Sequence, residues 1–511
     1  MFHSILFPMA VTDGVFQPKM ASVYFNDLRL NQIFEPIVQA EAPYKLDEFF
    51  YRPLYHPAVI QYRQAVMRDL EQDALRQILD DFSKEIYTFK ETMQNLHQRL
   101  STEANYLLKG RFLYCAEHYC QVLQALCTNI KATELQSEGL KAFRVYVTAY
   151  CESASYKAFY KKLQEVRRLF SELRYCMLIK NGTVRVRKYD GEENLSQRIV
   201  QVFEKFKQQD TAQHYTQALS EDPYAEHVEA GVLELLAKLY PEAFEALDEF
   251  VKQYSHFENE VVEQFSREVR FYISWLGYID ALKKQGLSFC YPQLGKEKET
   301  VYANQFFDVA LAKKLGAQTV TNDFQLTPPE RMIVVTGPNQ GGKTTFARAF
   351  GQIHYLAALG LSVPGTAACL LLPQGIYTHF EREEMLSTLH GKLEDDVERL
   401  HTLLQSATAG SVVIVNEIFS STTLKDAVDL GQRMMEAFVQ KHVIGVVVTF
   451  MDELATYGPE TISMMSTVCE EHPEIRTYKV IRKSPDGIAY AMTIAGRHGL
   501  TYEQLTRRLG S

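Results

Sequence analysis

Apolar residues spaced three and four apart, with Lys, Glu and Gln between them, run through most of the first half of the chain, from about Phe25 to Tyr278. Residues 57–100 and 103–129 carry the pattern with few Gly or Pro interruptions, which predicts long packed helices. One stretch breaks it. Arg174 to Lys180, then Asn181-Gly182, then Thr183 to Tyr189 sets β-forming runs on either side of an Asn-Gly turn, which predicts a β-hairpin. Its second strand alternates Val184 and Val186 with Arg185 and Arg187, so one face is cationic. The helical pattern resumes from Leu195 to about Lys284, with a loop expected near residues 209–224. From about Gln305 the texture changes. Apolar strand-like runs at 332–336, 369–372, 412–415 and 443–449 alternate with helix-like segments, which predicts an α/β domain with a largely parallel sheet.

The strongest chemical signal lies in that second part. Gly337-Pro338-Asn339-Gln340-Gly341-Gly342-Lys343-Thr344-Thr345 follows the apolar run Met332 to Val335 and precedes a helical stretch expected over residues 346–359. Strand, glycine loop and helix together make this a phosphate-binding loop rather than a Gly-rich turn with a lysine nearby. The glycines let backbone N–H groups turn toward phosphate oxygens, and the helix N-terminus adds partial positive charge. Lys343 is placed to reach the β- and γ-phosphates, and the Thr344 hydroxyl to ligate Mg²⁺. The expected ligand is therefore a nucleoside triphosphate, ATP, with Mg²⁺.

A second piece follows at Ser411 to Glu417, where the buried run Val412 to Val415 ends in Asn416-Glu417. Polar residues at the carboxyl edge of such a strand face the ligand in open α/β sheets. In P-loop ATPases the first of this pair is usually an Asp that holds Mg²⁺, and the second a Glu that orients or deprotonates the attacking water. Here Glu417 is present and Asn416 stands for the Asp. An amide offers an oxygen without the charge that balances the metal, so weaker metal affinity and slower turnover are expected. The alternative is a core strand with incidental polar residues at its end. Downstream, Ser420-Ser421-Thr422-Thr423 enters a helix and is suited both to capping it and to meeting an anion.

These motifs resemble the ATPase domain of the MutS family, relatives of the ABC-type ATPases. The resemblance rests on residues 336–345, Ser387-Thr388, residues 416–426 and residues 449–454. Asn322, two residues past a strand-like stretch, and residues 360–364 extend it. Arg52-Pro53-Leu54 and the following Ile60-Gln61-Tyr62-Arg63-Gln64-Ala65-Val66 resemble the start of that family's helical core. The resemblance implies an α/β P-loop NTPase domain over residues 301–511. A mainly α-helical core and lever domain over 25–300 would precede it, carrying the hairpin near 174–190, with an N-terminal segment over 1–24. It also implies Asn322 as a nucleotide contact and a dimer with two composite ATP sites. In that dimer Ser421, Thr422 and Thr423 of one subunit face the nucleotide of the other, and lever helices carry motion toward nucleic acid.

The departures are specific. Few residues precede the helical core, so the family's N-terminal mismatch reader is expected to be missing, and direct mismatch recognition with it. No helical dimerisation tail or nuclease-like domain is expected after Leu509. The clamp reduces to the hairpin, whose Lys180, Arg185, Arg187 and Lys188 are candidates for phosphate contact or a merely solvated surface, partly offset by Glu192 and Glu193. Phe419-Ser420-Ser421 stands where the family has Gly-Arg-Gly. Phe450 replaces a His able to hydrogen-bond the γ-phosphate, and Thr319 replaces the aromatic that stacks on adenine. Two functional classes follow: a slow MutS-like ATPase acting on DNA, or a nucleotide-gated scaffold without catalysis. RNA or the ribosome is a third partner class, and pairing with a paralogue competes with homodimerisation.

Length and composition narrow the remainder. At 511 residues the chain exceeds a single core, and two to four domains are expected. A net charge of −9 excludes a wholly basic nucleic-acid coat but leaves room for a local positive surface. No apolar run reaches the roughly 18–20 residues that span a bilayer. The opening MFHSILFPMAVTDG lacks a positive leader, so a cytoplasmic protein without a membrane partner is expected. The eight cysteines form no C-x-x-C pair, which favours buried thiols over a metal site.

Overall fold

The computed structural model describes residues 2–9, 23–181, 183–191, 223–295, 299–381, 391–469, 471–472, 475–485 and 502–509. Ser387-Thr388, Gly182 of the hairpin turn, Glu192, Glu193 and the helix start expected at Leu195 lie outside the described residues. The helical part comprises α1 (Tyr24–Asp27), α2 (Leu30–Ala40), α3 (Asp47–Phe50), α4 (Pro57–Asp69), α5 (Asp73–Thr102), α6 (Tyr106–Lys131), α7 (Glu138–Glu152) and α8 (Ala154–Glu172). After the hairpin strands β1 (Tyr175–Lys180) and β2 (Thr183–Lys188) come α9 (Pro223–Leu239), α10 (Pro241–Gln253) and α11 (Glu260–Lys283).

The expected helix over 57–100 is thus two helices with a corner at residues 70–72. The corner is anchored by Asp69, whose buried carboxylate accepts from the N–H groups of Gln136 and Ser137 and from the Ser137 hydroxyl. In α5, Leu75, Leu79, Phe82, Ile86, Phe89, Met93 and Leu96 are all buried. Their alternating spacing of four and three places them on one stripe, which is what commits the sequence to a long one-faced helix.

The chain divides into two compact units. One contains residues 77–134 and 142–266; the other contains 2–76, 135–141 and 267–511. The division falls within α5, α7 and α11 rather than near residue 300. Packing explains why the opening helices and the end of α11 belong with the α/β part. The N–H of Leu54 donates to Ala358 O at 2.8 Å, and the Trp275 indole donates to Ser362 Oγ at 3.1 Å.

In the first unit β1 and β2 pair antiparallel, with Met177 opposite Val186 and Leu178 opposite Arg185. Val186 packs against the apolar cluster of Leu236 and Phe244. Arg185 and Arg187, on the other face, are exposed, as the alternation predicts.

The second unit adds β3 (Phe289–Cys290), β4 (Gln293–Leu294), β5 (Val301–Phe306), α12 (Val309–Leu315), β6 (Asn322–Leu326), β7 (Met332–Thr336) and α13 (Lys343–Ala358). It continues with β8 (Val363–Pro364), β9 (Ala367–Leu370), β10 (Ile376–Phe380), α14 (Lys392–Ser406), β11 (Val412–Asn416), α15 (Leu424–Gln440) and β12 (Ile444–Val448). Strands β13 (Thr461–Val468) and β14 (Arg476–Arg482) and helix α16 (Tyr502–Leu509) complete it. The main sheet has the order β10-β11-β12-β7-β13-β14; neighbours are parallel except β13 and β14. Strands β7, β11 and β12 are buried at every position, which is why they read as continuous apolar runs rather than alternating ones.

One expected strand belongs elsewhere. The run at 369–372 overlaps β9 only at Cys369 and Leu370, and β9 joins a second sheet in the order β4-β9-β5-β6, antiparallel to β5. An apolar run states that a strand is buried, not which strand it pairs with.

Candidate nucleotide site

β7 ends at Thr336, and the chain leaves it through Gly337 at φ 105°. Gly342, at φ 93°, caps α13, a conformation that L side chains rarely adopt. The helix begins at Lys343, three residues before the expected start, so Lys343, Thr344 and Thr345 form its first turn. Their N–H groups are among those a helix cannot satisfy internally, and they are the donors an anion would take. Lys343 is buried, and its Nζ donates to Gly337 O at 2.8 Å, to Pro338 O at 3.4 Å and to Asn339 Oδ1 at 3.2 Å. These partners are neutral. Burial pulls the ammonium below the usual lysine range and Arg476 adds to the shift, while Glu417 opposes it. An arriving phosphate would supply the countercharge that the loop lacks.

The second piece stands on the same sheet edge. β12 separates β11 from β7, and all three end toward the loop; Glu417 N–H donates to Val448 O and Thr449 N–H to Val335 O. Asn416 is buried, and its Oδ1 has no partner among the described residues; the same holds for Thr336 Oγ1. An unpaired buried amide oxygen is costly unless something fills the position. Its oxygen and the Thr344 hydroxyl fit a hard cation in type, although they bring no negative charge. Glu417 sits at φ 56° and Phe419 at φ 60°. Left-handed backbone on two non-glycine residues is strained, and such strain concentrates where a fold presents functional groups.

One cavity of about 500 Å³ is lined on the loop side by Gln340, Gly342, Lys343, Thr344 and Thr345, with Glu417 and Asn322 contributing, whereas Asn416 is not among its lining residues. Other lining comes from Leu311 and Leu315 of α12, from Thr319 and Val320, and from Tyr478. A second hollow of about 460 Å³ along β10 is lined by Tyr24, Tyr55 and Tyr377 among others and holds none of the loop residues. Only the first of the two combines residues of the Gly-rich loop with Glu417.

Residues 333–506 match the family model of MutS domain V. Over this stretch the chain resembles the MutS family. It is 31% identical to Endonuclease MutS2 of Thermus thermophilus over 37% of this chain and 25% of that protein. It is 28% identical to DNA mismatch repair protein MutS of Thermus aquaticus over 37% of this chain and 23% of the relative. For Endonuclease MutS2 of Thermomicrobium roseum the identity is 27% over 36% and 24%. The matched stretch thus spans about a quarter of each relative's length.

Several MutS-like positions expected at the site are placed differently. Gly337, Pro338, Asn339 and Gly341 do not line the cavity; the first three instead supply oxygens to Lys343. Asn322 is the first residue of β6 rather than lying beyond a strand. Its amide is spent on β14: Oδ1 accepts from Val480 N–H at 2.7 Å and Nδ2 donates to Tyr478 O at 3.5 Å. Thr423 caps α15, accepting from Asp426 N–H at 3.3 Å and donating to Asp426 Oδ2 at 2.7 Å, while Ser421 is exposed and Thr422 half-buried. None of the three lines the cavity. Phe450, 51% exposed, stands outside it as well.

Tyr478 and Arg476 were not anticipated. Both come from β14, a strand not expected from the sequence, and nothing local says that it folds back beside the Gly-rich loop. The cysteines differ too: Cys115, Cys120 and Cys369 are buried, and the other five are half-buried.

Proposed function

We propose that this chain binds Mg·ATP in the P-loop cavity and hydrolyses it slowly, using the cycle to close a dimer and move its long helices during DNA metabolism. One observation carries the reading. Lys343, Thr344 and Glu417 line a single cavity at the carboxyl edge of a parallel sheet. Lys343 exchanges loop carbonyls for phosphate oxygens, and the first turn of α13 donates N–H groups to them. Glu417 accepts the proton of the attacking water or orients it. Mg²⁺ would be held by the Thr344 hydroxyl and the Asn416 amide oxygen, and when bound it neutralises phosphate charge.

Dimer closure would bring Ser421 and Thr422 to the partner's nucleotide, Thr423 being committed to its helix cap. The partner is a second copy or a paralogue. The relatives are a mismatch-repair protein and endonucleases by name, which favours DNA over RNA or the ribosome as the polymer served, in the cytoplasm. No helix among the described residues is long and apolar enough to cross a membrane.

A nucleotide-gated scaffold is the second reading, favoured by Asn416 and Phe450. Single-turnover hydrolysis by the wild type and by Glu417→Gln separates the two. The ATPase reading expects a fall of about 100-fold or more in the variant, the usual span for loss of a general base. Equal rates leave Glu417 without a catalytic role and favour the scaffold. Sedimentation with and without Mg·ATP tests closure, which requires nucleotide-dependent pairing.

A further inference from the structure

No cysteine lines the cavity beside the Gly-rich loop, yet two cysteines of the helical unit face each other. Cys127 lies near the end of α6 and Cys151 near the end of α7, 24 residues apart in sequence, and their sulfurs stand 3.5 Å apart. Cys127 Sγ also donates to Val147 O, one turn back on α7, at 3.7 Å. Lys131 and Glu152 pair across the same crossing at 3.8 Å. A disulfide needs a sulfur separation of about 2 Å, a distance that small side-chain rotations reach from here.

The two thiols also differ in character. Both are half-buried and open to a small solute, whereas Cys115, Cys120 and Cys369 are buried. Burial pushes the Cys115, Cys120 and Cys290 thiols up to about 11, which keeps them protonated and unreactive. Cys127 moves the other way. Once it loses its proton, the Cys151 S–H donates to the thiolate; this bond, with the positive charge of Lys131, outweighs burial and Glu152 and holds Cys127 below the usual thiol value. Cys151 is raised, chiefly by that same hydrogen bond and by burial, so it stays protonated. One thiol is thus prepared to attack and its neighbour to follow. Two cysteines serving only as small core hydrophobes would need neither the exposure nor the nearby charge.

We infer that Cys127 and Cys151 form a reversible oxidation site, at which a hydroperoxide converts the two thiols into a disulfide joining α6 to α7. The Cys127 thiolate attacks the O–O bond, keeps one oxygen as a sulfenic acid and expels the other, which takes up a proton and leaves as an alcohol or as water. The Cys151 sulfur then displaces the sulfenic hydroxyl, which departs as water with the Cys151 proton. Two thiols are oxidised, and the two electrons they give up reduce one peroxide bond. A dithiol reductant reverses the step by thiol–disulfide exchange.

The test uses the full chain, fully reduced and then treated with a few equivalents of hydrogen peroxide, with remaining thiols alkylated and peptides read by mass spectrometry. The wild type is expected to lose two of its eight thiols, to yield a Cys127–Cys151 cross-linked peptide within one chain, and to regain both thiols in dithiothreitol. Cys151→Ser is expected to stop at a Cys127 sulfenic acid, which dimedone captures. Cys127→Ser is expected to slow the oxidation of Cys151 by about tenfold or more. The wild-type peptide map decides the matter even if a serine variant does not fold. Retention of both thiols, a cross-link to Cys120 instead, or a disulfide between chains overturns the site. Unchanged oxidation of Cys151 in Cys127→Ser overturns Cys127 as the attacking thiol.

Discussion

Asn416 is the residue at which this site parts from the common ATPase pattern. Its buried, unpaired Oδ1 lies one residue before Glu417 on the strand edge. Restoring a carboxylate there supplies the charge that balances a divalent cation. Asn416→Asp is therefore expected to raise hydrolysis at limiting Mg²⁺ several-fold and to lose this advantage at saturating Mg²⁺. Rates measured across a Mg²⁺ titration check it; no gain at low Mg²⁺ would mean that the metal is held by other groups. A second residue gives a stability prediction. His354 is fully buried on α13, its Nδ1 bonded to Phe350 O at 2.8 Å, and burial pushes its pKa down from 6.5 to about 4. The folded state thus resists a proton that the unfolded state accepts. This residue's contribution to stability is complete above about pH 6.5 and is lost as pH falls toward 4. Over that interval the loss is on the order of 3 kcal/mol. Urea unfolding of the wild type and His354→Gln at pH 7 and pH 4.5 should show the variant losing less stability between the two.

At the scale of elements, the P-loop helix is fixed at both ends. Its N-terminus opens on the cavity that Lys343, Thr344 and Glu417 line. Its C-terminus is tied down by Arg63 of α4, a buried guanidinium whose Nη1 donates to Leu359 O at 3.1 Å and whose Nε donates to Leu6 O at 3.1 Å. The same guanidinium lies over the rings of Phe7 and Phe271, 4.9 and 5.2 Å from their centroids. A cation at a helix C-terminus also complements the helix dipole. Arg63→Met keeps the stem and leaves two buried carbonyls without this donor. It is expected to destabilise the protein by about 2 kcal/mol or more, read as a lower denaturation midpoint at unchanged slope.

Elements differ in how far the sequence reveals them. β7, β11 and β12 are covered on both faces, so each is an apolar run with a functional residue at its end, and the P-loop and Asn416-Glu417 follow from that pattern. The β13–β14 hairpin mixes Ser, Thr, Met and Arg, and its place beside Gly342 is a tertiary contact that no local spacing encodes. Asn322 was visible as a residue but not in its role, because the role depends on which backbone comes to meet it. For the same reason the stripe on α5 shows that the helix packs but not which of the two units claims it.

For the molecule as a whole, each unit contributes what the other lacks. The α/β unit carries the proposed nucleotide site. The helical unit carries the hairpin, where exposed Arg185 and Arg187 present positive charge on a chain whose net charge is −9. If that face meets a nucleic-acid backbone, Arg185→Glu with Arg187→Glu should weaken binding to duplex and junction DNA and flatten its salt dependence by about one unit of slope per lost contact. Titrations at several salt concentrations would report it; an unchanged slope assigns the hairpin to solvent. The central claim, however, is that the Gly-rich turn before α13 captures Mg·ATP. Isothermal titration of Mg·ATP into the full chain tests this most directly: the account predicts saturable binding of one nucleotide per chain that disappears in Lys343→Ala. Absence of binding to the wild type, or equal affinity in the variant, would contradict it.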